Sequence, residues 1–286
     1  MALRIVNNIS ALNAQRNLAN TQNSLSKSME RLSSGLRINR AADDAAGLSI
    51  SQQFRADLAA YKAASNNTVQ ASSMLKVAEG GLDSIHGMLT RLKELAVQAA
   101  SDNTINKTAV NDEAQEIIAE ITRVAESTKY NTLSLIDGTY GGTAASSALT
   151  IQVGSENATN QRIQFNVQAA TAGAIGSTGT HASLNEVSLD TGIATAQASI
   201  DTINQAITDI SAVRAEIGAN MNRLSYTSSN LAITMENVAA SESVVRDTDM
   251  AAEMTDFTRN QILRQAGTAM LAQANAMPQA ALSLLG

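Results

Sequence analysis

Residues 189–245 read LDTGIATAQASIDTINQAITDISAVRAEIGANMNRLSYTSSNLAITMENVAASESVV. Alternating steps of four and three pick out Leu189, Ile193, Ala196, Ile200, Ile203, Ile207, Ile210, Arg214, Ile217, Met221, Leu224, Ser228, Leu231, Met235, Val238, Glu242 and Val245, and 14 of these 17 positions are apolar. An apolar repeat of 3.5 residues is the seam of a coiled coil. At about 1.5 Å per residue the 57 residues would make a rod of about 85 Å. A stripe that long and narrow does not suit a compact globule. It needs partner helices along its length, and therefore points to structure and assembly before chemistry.

Composition agrees. Of 286 residues 44% are apolar but only 2% aromatic, with no Trp. Aromatic side chains dominate most cores and ligand pockets, so their scarcity favours slender helices packed on Ala, Leu, Ile and Val. Pro278 is the one proline, where average usage would give about fourteen, so helices can run uninterrupted. The absence of Cys removes disulfides, thiolate nucleophiles and zinc clusters together. The two histidines, His86 and His181, lie far apart, which disfavours a metal site or a histidine-based triad. A net charge of −6 argues against nucleic acid as a partner. No apolar run approaches eighteen residues, so no membrane insertion is expected. No cofactor is expected either.

Working outward from the rod, residues 246–249 (Arg-Asp-Thr-Asp) break it and lead into a last helix. Upstream, a first helix runs from about Asn7 to Leu32 and stops at Ser33-Ser34-Gly35. A second, capped by Asp43 or Asp44, carries Phe54, Leu58, Tyr61, Leu75, Leu82, Leu89 and Leu92 to about Ala100. A third runs from about Thr108 to Thr128. From Leu133 the period changes to two: Leu149, Ile151, Val153 and then Ile163, Phe165, Val167 alternate with polar residues, which predicts a β-hairpin after an Asp137-Gly138 turn. The Ala/Gly/Thr/Ser stretch from Ala169 to Ser183 reads as an exposed linker. The fold expected is mainly α: an elongated helical bundle or coiled coil built from both chain ends, with a small β-hairpin region in the middle.

The ends are short of acid. The first acidic residue is Glu30, and no side-chain charge follows Arg264. Polar residues interrupt the start of the chain, so no cleaved signal peptide is expected. Leu25, Met29, Leu32 and Leu36 at one end, and Leu263, Ala266, Met270, Ala274 and Met277 at the other, form apolar stripes that call for partners. The ends are expected to be weakly ordered alone and to fold on association.

Three features imitate sites. Asp247, Asp249 and Glu253 resemble metal ligands but lack a glycine-centred calcium loop, so a helix-capping cluster is the better reading. Glu113, Glu116 and Glu120 share a helix face, which reads as solvated with Arg123 as an i+3 partner of Glu120. Asn157-Ala158-Thr159 fits a glycosylation sequon at chance frequency.

Four blocks, MALRIVNNISALNAQRNLANTQNSLSKSMERLSSGLRINRAADDAAGLSIS (1–51), LKELAVQAASDN (92–103), KYNTLSLIDG (129–138) and VRDTDMAAEMTDFTRNQILRQAGTAMLAQANAMPQAALSLLG (245–286), closely resemble bacterial flagellin. The likeness covers roughly residues 1–140 and 189–286, and the chain looks like a short form without large outer domains. The resemblance implies a structural subunit, not an enzyme, that self-assembles into the filament of the bacterial flagellum for swimming motility. Residues 1–42 and 247–286 would together form inner-tube helices, packed through Leu25, Met29, Leu32, Leu263 and Met270. Residues 43–246 would form an outer-tube bundle with its seam at Ile200, Ile203, Ile207, Ile210, Ile217, Met221 and Leu224, and with a hairpin and exposed loop over 133–188. It also implies type III export without signal cleavage to an extracellular flagellum, with an export chaperone, a filament cap and junction proteins as partners.

A hook-filament junction protein, or another type III-exported coiled-coil protein, is the alternative reading; it should match the terminal blocks more weakly. An enzyme on this scaffold would need an inserted motif such as HExxH, for which residues 141–188 are too short. Two finer expectations follow from the likeness. Ser146, Ser147, Thr159, Ser177 and Thr178 are candidate O-glycosylation positions facing solvent. Flagellins recognised by an innate Toll-like receptor carry an arginine, a leucine and a glutamate that fall on Arg91, Leu95 and Glu113, with Arg91 and Leu95 at i, i+4 on one helix face.

Overall fold

The computed structural model describes residues 8–101, 106–140, 148–176, 183–190 and 192–283. The chain packs as two units: Met1–Leu58 with Glu236–Gly286, and Ala59–Met235. These divide at Leu58 and Met235, inside two long helices, whereas the sequence places its divisions at the helix breaks after 42 and 246.

In the first unit, helix α1 (Ile9–Ser34) starts where Asn8 Oδ1 accepts from the Ala11 amide at 3.1 Å. It ends at Gly35, whose φ of +71° lets its N–H reach the Arg31 carbonyl. Helix α2 (Ala45–Ala99) is capped by Asp44, which accepts from the Gly47 amide at 2.9 Å. Asp43 plays another part: it accepts from the backbone of Arg40 and pairs with Lys27 at 2.8 Å, and the Lys27 hydrogen bond holds its carboxyl below the usual range.

Helix α4 (Ile193–Arg246) ends beside the 35–37 turn. Arg37 N–H donates to the Arg246 carbonyl at 2.7 Å and Thr248 N–H to the Gly35 carbonyl at 3.0 Å, so the two helix breaks staple each other. Asp249 Oδ1 then accepts from the amides of Ala251 and Ala252, opening helix α5 (Met250–Ser283) as the cap the sequence indicates.

Helices α1 and α5 pack antiparallel, since Asn8 Nδ2 donates to the Ala274 carbonyl at one end while Arg31 pairs with Glu253 at 3.4 Å at the other. Ala11, Ala14, Leu18, Thr21, Leu25, Ser28 and Leu32 are the sheltered row of α1; Glu253, Phe257, Asn260, Arg264, Gly267, Leu271 and Ala274 are that of α5. Both alternate steps of three and four, the coiled-coil period. A Cβ on Gly267 would come within 3.2 Å of Leu18 Cδ1, so a larger residue there would push the leucine aside by a few tenths of an ångström.

In the second unit, α2, α3 (Lys107–Ser127) and α4 enclose one apolar core with two small antiparallel sheets. Along α2 the buried row is Ala64, Thr68, Ala71, Leu75, Ala78, Leu82, Ile85, Leu89, Leu92, Ala96 and Ala99, an unbroken alternation of four and three. Helix α3 contributes Ala114, Ile118, Ile121 and Ala125. Strands β1 (Lys129–Tyr130) and β2 (Leu133–Ser134) form a tight turn with Asn131 at φ +59°, a conformation asparagine tolerates. Strands β3 (Leu149–Gln152) and β4 (Arg162–Phe165) form the expected hairpin, with Leu149 opposite Phe165 and Ile151 opposite Ile163. Period-two alternation turns Ile163 and Phe165 into the core.

Three readings need correction. Helix α4 begins at Ile193, so Leu189 lies outside it; Leu189 is buried in an irregular segment, its amide held by Asn111 Oδ1 at 2.9 Å, while Gln115 Nε2 donates to the Val187 carbonyl at 2.8 Å. The phase of the seam is also shifted. The row Ala196, Ile203, Ile210, Ile217, Leu224 and Leu231 is buried, but its companion is Ser199, Ala206, Val213 and Asn220, with Ile200, Ile207 and Met221 half-buried at the edge. Small side chains let neighbouring backbones approach closely, and the larger ones seal the flank. Arg214 reaches the rim, where it pairs with Asp83 at 3.0 Å. Finally, the 169–176 stretch is packed: Ala170, Ala172 and Ile175 are buried, and Ala170 N–H donates to the Ile136 carbonyl at 2.9 Å.

Candidate assembly surfaces

The α1/α5 pair shelters one row of each helix and leaves other apolar rows bare. Leu25 is buried and Leu32 half-buried, but Met29 is exposed. On α5, Leu263 is 49% and Met270 63% exposed, and Met277 continues the same seven-residue row. A further apolar set on α5, Met250, Met254 and Ile262, is exposed as well, with Ile9 and Leu12 on α1. Sequence reading missed this set; its signal is Met250 and Met254 at i, i+4, with Ile262 two turns further on. Rows of large apolar side chains open to water along paired helices mark an interaction surface.

On the second unit, Arg91 makes two hydrogen bonds to Glu113 Oε1, from Nη2 at 2.8 Å and Nε at 3.1 Å, and a third from Nη1 to Glu94 Oε2 at 3.1 Å. The Glu113 bonds, then those to Glu94, raise the arginine's pKa further above its ordinary value. The structure thus brings Arg91 and Glu113 together at the surface. Leu95 it does not: at 1% exposure it belongs to the core and cannot fill a notch on a partner. Arg123 clamps Glu120 through two hydrogen bonds, which lower the carboxyl's pKa. Asp112 and Glu116, exposed and one turn apart on α3, enter no ion pair among the described residues.

A groove between the hairpin and the helices carries the opposite charge. It is lined by Tyr61, Arg162, Arg223, Tyr226 and Asn230 among others. Arg162 donates only to amide oxygens, those of Gln152 and Asn157, and Arg223 only to Asn220 Oδ1 at 3.1 Å, so neither guanidinium meets a carboxylate among the described residues. Tyr226 is 79% exposed, conspicuous in a chain with seven aromatic residues.

Of the candidate glycosylation positions, Thr159 lies exposed in a helical turn before β4, and Ser146, Ser147, Ser177 and Thr178 lie outside the described residues. Among the described residues no group of three or more His, Cys, Asp and Glu is placed to hold a metal ion, and no helix is long and apolar enough to cross a membrane.

Comparison with known proteins bears directly on these surfaces. Residues 5–141 match the bacterial flagellin N-terminal helical region and residues 200–285 the bacterial flagellin C-terminal helical region. The chain is 42% identical to a flagellin of Halalkalibacterium halodurans, the match covering 98% of this chain and 99% of that one. It is 41% identical to a flagellin of Bacillus subtilis, over 99% of this chain and 100% of the relative. A solved structure described as a putative flagellar hook-associated protein from Vibrio parahaemolyticus is alike with a TM-score of 0.56, covering 72% of this chain and 97% of that one; at 17% identity the likeness is one of fold alone.

Proposed function

The chain belongs to the bacterial flagellin family and is a structural subunit of the flagellar filament, and from that premise we propose that its first unit drives polymerisation. The observation that carries this reading is the set of uncovered apolar rows on α1 and α5, chiefly Leu263 and Met270. Copies of the same chain, arranged helically, supply the cover: residues 1–42 and 247–286 form an inner tube and residues 43–246 surround it. A nearly full-length likeness to flagellins at about 40% identity disfavours the junction-protein alternative.

The role is mechanical rather than catalytic. Export through the type III apparatus, a chaperone that shields α5, a cap and junction proteins, and an extracellular destination complete the reading. A bare apolar helix in the cytoplasm needs such shielding, because exposed rows of this kind invite aggregation. Recognition by an innate Toll-like receptor rests on Arg91 and Glu113 without Leu95. Arg91→Ala monomer should signal less strongly than wild type in a receptor reporter-cell assay; equal potency would remove the proposal.

Limited proteolysis tests the assembly reading. In the monomer, residues 1–40 and 247–286 should be cut first, because the α1/α5 pair buries little besides Leu25, Ser28 and Ala274. In filaments seen by negative-stain microscopy, both ends should resist the same protease. Equal cutting of monomer and filament would refute the fold-on-assembly account.

A further inference from the structure

We propose that the basic groove of one copy, Arg162 and Arg223 beside Tyr226, docks against the acidic face of α3, Asp112 and Glu116, on a neighbouring copy. The proposal deepens the filament reading and rests on it. A helical polymer is held by heterologous contacts, in which one face of a copy meets a different face of the next, so a single chain must carry two complementary faces.

The second unit carries such a pair. Its groove presents two guanidiniums that bond only to neutral amides. Its α3 presents two exposed carboxylates one turn apart that pair with no cation among the described residues, while the adjoining Glu113 and Glu120 are already engaged by Arg91 and Arg123. Among the described residues helix α3 contributes nothing to the groove, and neither guanidinium pairs with Asp112 or Glu116 within the chain. A guanidinium can take a carboxylate through two parallel hydrogen bonds, a geometry that sets register as well as attraction. Tyr226 adds a flat, exposed ring of the kind that anchors interfaces at little entropic cost. Complementary charge of this sort mainly steers encounter and fixes alignment.

A charge swap on the full chain tests the contact, read as the critical concentration for polymerisation of each variant. Arg162→Glu with Arg223→Glu, and separately Asp112→Arg with Glu116→Arg, should each raise it about tenfold or more, because like charges then face each other at every such contact. The four substitutions together should restore it towards wild type. Monomer melting by circular dichroism shows that each variant folds. Should the glutamate pair unfold the hairpin, Arg162→Gln with Arg223→Gln should give a smaller rise in the same direction.

Unchanged polymerisation of folded double variants, or no recovery in the fourfold variant, overturns the contact and assigns the groove to another ligand while leaving the filament reading intact. Failure of the wild-type chain to polymerise at all overturns both.

Discussion

Ile203→Asp should destabilise the second unit by about 4 kcal/mol or more, and Ile210→Asp should do the same. Both side chains are fully buried in the core formed by α2, α3, α4 and the hairpin. The substitution removes the apolar burial of an isoleucine, leaves a void, and places a carboxylate among the apolar side chains of the core. A typical domain has about 5–15 kcal/mol in total, so a loss of about 4 kcal/mol lowers the melting temperature by about 8–16 °C for a unit of this size.

The deficit should shrink as pH falls from 7 towards 4. A buried carboxyl has its folded-state pKa raised, so the folded state binds the proton more tightly than the unfolded chain, and acid restores part of the lost stability. Ile207→Asp is the control. Ile207 sits half-buried at the edge of the seam, where a carboxylate can reach water, and should cost about 1–2 kcal/mol. Equal losses at 203 and 207 would mean that the row through Ile200, Ile207 and Met221 is central after all.

That control isolates what the sequence could and could not say. The heptad period, the helix caps at Asp44, Asp249 and Gly35, and the hairpin pairing were legible because each depends on residue type at a fixed local spacing. The phase of the seam was not. A search for large apolar residues chooses Ile200 and Ile207, whereas the folded bundle buries Ser199, Ala206 and Asn220 beside Ile203 and Ile210 and leaves Ile200 and Ile207 half-buried at the edge.

The same cause hid the packed stretch 169–176. Ala170 and Ala172 look like filler in a linear reading, yet both are buried, and the Ala170 N–H donates to the Ile136 carbonyl. Leu95 fails in the opposite direction. Its i, i+4 relation to Arg91 suggests one shared face, but the leucine is buried in the core while the longer arginine reaches Glu113 at the surface. The assembly surface was half legible. Leu263 and Met270 stand out by spacing, but exposure of Met250, Met254 and Ile262 depends on which face of α5 meets α1, and the partner helix lies more than two hundred residues away in sequence.

Met270→Asp and Leu263→Asp should separate stability from assembly. Both side chains are largely exposed in the folded chain, so either substitution should change monomer stability by no more than about 0.5 kcal/mol. Polymerisation should respond very differently. If copies of the chain cover this row, each native side chain gains about 1.5–3 kcal/mol on burial, and a carboxylate in its place must be desolvated without a partner. At about 1.4 kcal/mol per tenfold, the critical concentration should rise at least a hundredfold for each variant. Met270→Ala should fall between, because it removes burial without adding charge. The pattern is the reverse of that expected for Ile203→Asp, which attacks the monomer first. Filaments of Met270→Asp forming at the wild-type concentration would mean that the α5 row stays in water throughout, and a large drop in monomer melting temperature would mean that the row is already covered within one chain. Either result would take the Leu263 and Met270 row out of the driving force for the inner tube and leave it to the other exposed apolar set, Met250, Met254 and Ile262 with Ile9 and Leu12.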